Sequence, residues 1–124
     1  MAAHQVLTVM NHGAASIFTA LRNNTGGAKD KFLTELVRIM RKYPWCAGVD
    51  IDLERGGEYE NRTAANALFR DIYNTVKNYD TAKLVNICLP GMTDINGAVG
   101  GENWCVYADL NAYCDTVSIM RYGM

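Results

Sequence analysis

The stretch Cys46-Ala47-Gly48-Val49-Asp50-Ile51-Asp52-Leu53-Glu54 sets three acids on alternate residues inside an apolar run. A period of two is the period of a β-strand, so Val49, Ile51 and Leu53 share one face and the three carboxylates share the other. Same-face neighbours on a strand lie roughly 6.6 Å apart. Like charges at that spacing repel each other and resist leaving water, so the pattern does nothing for stability and points to chemistry.

The flanking sequence predicts alternating strands and helices. Gln5 to Met10 reads as a buried strand broken by Asn11-His12-Gly13, and Ala14 to Arg22 as a short helix before a loop over 23–27. Phe32, Leu33, Leu36, Val37, Met40 and Tyr43 recur at helical spacing, and this helix stops before Pro44. The acidic strand covers Ala47 to Leu53. Asn61 is a plausible N-cap for a helix with the stripe Ala65, Leu68, Phe69, Ile72, Val76 and Tyr79. Lys83 to Leu89 reads as a third strand, Trp104 to Tyr113 as a short helix and Thr116 to Tyr122 as a fourth strand. The fold class is therefore α/β, a parallel (β/α) repeat whose strands are apolar enough to be covered on both faces. Such a repeat is either a small open sheet or half of a (β/α)8 barrel, and in both the functional groups gather at the C-terminal strand ends. Glu54 and Tyr122 fall there.

The chain has 124 residues, enough for one domain, and 49% of them are hydrophobic, enough for a core. A net charge of −1 argues against a nucleic-acid or membrane-surface partner. No apolar run spans a bilayer and the N-terminus carries no signal-peptide pattern, which leaves location open. The cysteines at 46, 88, 105 and 114 form no C-x-x-C pair, so buried thiols are expected rather than a zinc site, although sequence alone fixes no disulfide connectivity. His4 and His12 lack partners at metal-ligand spacing, and the helical Arg and Lys residues read as a mostly solvated face.

Ala47 to Glu54 resembles the D-G-x-D-x-D-x-E signature of glycoside hydrolase family 18, the chitinases and endo-β-N-acetylglucosaminidases. Met120-Arg121-Tyr122 is similar to the first part of that family's M-x-Y-D motif, and Leu89-Pro90 suits the strand between. The resemblance places the chain over strands three to six of a (β/α)8 barrel, half of the whole. It departs from the family at Ala47 and Gly123, where the family has acids, and at Val9 to Gly13, where the family has S-x-G-G.

Glycoside cleavage needs a proton donor for the leaving oxygen and a stabiliser for the cationic sugar carbon. Glu54, last on its strand and beside Asp52, is the acid candidate, because an ionised neighbour raises a carboxyl pKa. The resemblance implies substrate-assisted catalysis with retained configuration: Asp52 orients the N-acetyl group, Tyr122 bonds its oxygen, and Asp50 shares a proton with Asp52. It implies a chitin-like or peptidoglycan glycan as substrate and neither metal nor cofactor. Met120, Trp104 and Asn96 are candidates for substrate contact, with core packing the rival role for Met120 and for the tryptophans Trp45 and Trp104.

Two rival functions stand beside this one. A strand ending in D-x-D also suits magnesium-dependent phosphoryl transfer, but Glu54 stands where a small hydroxyl residue is expected. A non-catalytic, carbohydrate-binding relative would explain the acids missing at 47 and 123, whereas Glu54 argues for catalysis. Half a barrel leaves open sheet edges, so the expectation is a fragment of a longer enzyme or a homodimer that completes the barrel.

Overall fold

A computed structural model of the chain describes residues 5–11, 14–53, 62–90 and 111–120. They form a four-stranded, all-parallel sheet, β1 (Val6–Met10), β2 (Gly48–Asp52), β3 (Leu84–Pro90) and β4 (Thr116–Met120), in the spatial order β1-β2-β3-β4. Three helices accompany it: α1 (Ala15–Arg22), α2 (Ala28–Lys42) and α3 (Arg62–Tyr79). Chain order equals spatial order, and described helices make the crossovers from β1 to β2 and from β2 to β3, as parallel neighbours require. The acidic strand β2 is an inner strand, paired with β1 through Thr8↔Asp50 and with β3 through Asp50↔Asn86.

The predicted stripes form the core. Val49, Ile51 and Leu53 of β2 and Val85, Ile87 and Leu89 of β3 lie in one buried cluster with Phe18 and Leu21 of α1, Leu36 and Met40 of α2, and Leu68, Phe69, Ile72 and Val76 of α3. Phe69 is central to it, with ring centroids 6.1 Å from Phe18 and 6.4 Å from Tyr113. Burying each such side chain contributes roughly 1.5–3 kcal/mol.

The described helices pack on this face of the sheet. Among the described residues the other face carries Thr8, Asp50, Asp52, Asn86, Cys88, Thr116 and Ser118, all exposed or half-buried. The strands alternate apolar with polar, and a side chain of either kind follows the pleat.

The expected loop over 23–27 contains a 3₁₀ turn, Thr25–Gly27, in which Gly26 (φ +58°) and Gly27 (φ +75°) adopt a left-handed backbone before α2 begins. Asn24 secures that start: its Oδ1 accepts the Lys29 N–H at 2.9 Å and its Nδ2 donates to Asp30 at 2.9 Å. Of the helix expected over Trp104 to Tyr113 only the last three residues are described, a short turn with Tyr113 buried. Trp45 does not take the core-packing role weighed for it: it is 61% exposed and meets Tyr43 edge-on at the N-terminal end of β2.

Candidate functional site

The polar face of the sheet assembles a hydrogen-bonded row across all four strands, centred on Asp50. Its Oδ2 accepts the Thr8 hydroxyl at 3.2 Å, and its Oδ1 accepts the Asn86 Nδ2 at 2.6 Å and the Cys88 thiol at 3.4 Å. Asn86 in turn donates to Ser118 Oγ at 2.9 Å and accepts from Thr116 Oγ1 at 2.8 Å. In-register parallel strands make the row possible, because residues at one level point the same way.

Asp52 stands one pleat nearer the C-terminal end, as the last residue of β2 and the register partner of Met10. Its environment differs from that of Asp50: Asp52 Oδ1 is buried and has no hydrogen-bond partner among the described residues. A buried acceptor without a donor is unfavourable by about 1–3 kcal/mol, so such an oxygen is a natural place for a ligand's donor. One carboxylate is thus held by three donors while its neighbour on the same face keeps a buried, unpartnered oxygen.

Of the residues singled out in the sequence, Asp50 and Asp52 come together on this face. Met120 ends β4, opposite Pro90, on the same side as Ser118 and Thr116. Glu54, Tyr122, Trp104 and Asn96 lie outside the described residues, as do His4, His12, Cys105 and Gly123. Ala47 is part of the sheet start: its N–H donates to Gln5 O at 2.7 Å and its carbonyl accepts from Leu84 at 2.9 Å. Cys46 and Cys114 are buried free thiols, and Cys88 is a half-buried one that faces Asp50.

Thr8, Asn86, Cys88, Thr116 and Ser118 escaped the sequence reading. Their signal was present as polar residues at every second position of Val85-Asn86-Ile87-Cys88-Leu89 and Thr116-Val117-Ser118-Ile119. Those runs looked like buried strands, and only the register shows that Asn86 and Cys88 meet Asp50 and that Thr116 and Ser118 meet Asn86.

Among the described residues no three of His, Cys, Asp and Glu converge as a metal-binding group, and no helix is long and apolar enough to cross a membrane. No family model, curated protein or solved structure matches the chain.

Proposed function

We propose that this chain supplies the acidic strand of a glycosidase of the family 18 type, acting on β-1,4-linked N-acetylglucosamine glycans such as chitin or peptidoglycan. In this reading the parallel sheet is half of a (β/α)8 barrel and its polar face lines the cleft. The supporting observation is the asymmetry of the two aspartates: Asp50 saturated by protein donors, and Asp52 with a buried, unpartnered oxygen. An acetamide N–H is a donor suited to that oxygen, and a carboxylate pair is suited to the positive charge that develops when the substrate's own acetamide oxygen attacks the anomeric carbon. Glu54 protonates the leaving oxygen, Tyr122 bonds the acetamide oxygen, and Met120, Trp104 and Asn96 border the sugar. The all-parallel sheet with sequential strand order is the arrangement such a barrel requires.

The test is hydrolysis of chito-oligosaccharides and peptidoglycan glycan strands by the wild-type chain and by Glu54→Gln. The expected result is turnover that persists in excess chelator, loss of turnover in Glu54→Gln, and glycan affinity that is retained. Equal turnover in the variant rejects Glu54 as the acid, and loss of activity to chelator favours phosphoryl-type metal chemistry instead. A second reading, binding without cleavage, draws on Ala47, which leaves the start of β2 without the acid that the resemblance places there. Glycan binding by a wild-type chain that shows no turnover would favour it.

A further inference from the structure

The hydrogen-bonded row does more than satisfy polar groups. Asn86 has a single amide NH₂ and a single carbonyl oxygen. Its NH₂ faces both Asp50 Oδ1 (2.6 Å) and Ser118 Oγ (2.9 Å), and its oxygen receives Thr116 Oγ1 (2.8 Å). The Asp50 carboxylate, which can only accept, fixes which end of the amide faces it, and the Thr116 and Ser118 hydroxyls, which can donate or accept, hold the amide in that orientation from β4. Thr116 and Ser118 lie on β4, two strands from Asp50, and touch it only through Asn86. Both are exposed, so neither is needed to fill the core.

We infer that Asn86 is a positioning residue, locked by Thr116 and Ser118, that holds the Asp50 carboxylate in one orientation beside Asp52. This rests on the reading of the site as glycosidic and adds residues of β3 and β4 that the signature motif does not contain. Thr8 and Cys88 bond Asp50 from the neighbouring positions, but of the three donors Asn86 makes the shortest contact and is itself held from a third strand. With Asn86 unlocked, Asp50 is held by the longer Thr8 and Cys88 contacts alone, and Asp52 loses a neighbour of fixed geometry.

The experiment has two independent arms on the full chain, using Asn86→Ala, the pair Thr116→Val/Ser118→Ala, and all three changes together. In the first arm, NMR of the Asn86 side-chain amide and of the Asp50 carboxyl carbon reads the lock without turnover. Removing the two hydroxyls is expected to speed exchange of the Asn86 amide protons roughly tenfold or more and to move the Asp50 resonance, although neither hydroxyl touches Asp50. An unmoved Asp50 resonance overturns the inference. In the second arm, turnover of a chito-oligosaccharide is expected to fall roughly ten- to a hundredfold in kcat with KM nearly unchanged, the signature of misplacement. The triple variant should be no slower than Asn86→Ala, because the hydroxyls act through the amide. Additive losses, or a fall in thermal stability with kcat intact, would make the row merely structural. Absence of any wild-type turnover would reject the glycosidase reading, while the NMR arm still decides the lock.

Discussion

Gly48 shows how closely one residue controls this site. It opens β2 opposite Leu84, and a Cβ placed on it would collide with the Leu84 carbonyl oxygen and stand 2.6 Å from the Leu84 nitrogen. Both are backbone atoms of the adjacent strand and cannot swing aside as a side-chain tip would. Gly48→Ala is therefore expected to push β2 from β3 and to destabilise the chain by about 1–3 kcal/mol, the usual range for overpacking. Urea unfolding of the two proteins measures this, and an unchanged midpoint would show that the strands separate freely. The same residue illustrates what was legible. The acidic alternation of β2 and the apolar stripes of α2 and α3 could be read directly, because period and burial are local properties. Asn86 and Ser118 could not be tied to Asp50 before the strands were in register, since the partners stand 36 and 32 residues apart in the chain.

At the scale of elements, ion pairs between neighbouring segments hold the layers in place. Lys29 of α2 bonds Asp71 of α3, and Lys77 of α3 reaches Asp115 at 2.8 Å, just before β4. These lysines are half-buried, unlike the mostly solvated helical cations expected. Lys83, only 9% exposed, donates to the Pro44 carbonyl at 2.8 Å and to the Cys46 carbonyl, and so ties the start of β3 to the turn before β2. Its burial could not be foreseen, because a lysine that begins a strand gives no local sign of acceptors 37 residues away. Asp115 is the acceptor at the other joint: it takes the Val85 N–H at 2.8 Å, and Tyr73 approaches its other oxygen at 3.5 Å. Burial pushes the Asp115 carboxyl up, but the Lys77 hydrogen bond and charge, the Val85 N–H and the Tyr73 hydroxyl together outweigh it and hold it below the ordinary value of 3.8. A carboxyl lowered by folding stabilises the fold in full above its ordinary value and loses that contribution as pH falls through the folded value. Asp115→Asn is thus expected to lose about 1.5–3 kcal/mol near neutral pH, the range for hydrogen bonds to charged groups. Urea midpoints of variant and wild type should converge as pH drops below 3.8. A gap that stays constant from neutral to acid pH would deny the linkage.

For the whole molecule, the sheet raises the question of what completes it. β1 and β4 are its outer strands, each paired on one side within the described sheet. A parallel sheet edge takes up a further strand wherever its N–H and C=O groups lack ladder partners. Large apolar side chains stand exposed nearby: Val6 and Leu84 on the polar face's N-terminal level, and Ile119, 54% exposed, on β4 itself. Val6 and Leu84, on either side of Gly48, form a small apolar level at one end of the face, beneath the hydrogen-bonded row, and such layering suits a barrel interior, where side chains of successive strands stack in layers. Closure takes more parallel strands on both edges, and a second copy related by a two-fold axis offers β4 to β1 and β1 to β4 at once, an isologous fit. The expectation is that the 124-residue chain self-associates with the edges buried. Sedimentation equilibrium over a wide concentration range is expected to show dimer formation, with Ile119→Lys and Val6→Lys shifting the balance toward monomer. Both positions are exposed, so a lysine at either should leave the single chain folded. A well-folded monomer at every concentration would mean that the polar face needs no cover, and the barrel reading would lose its main physical motive.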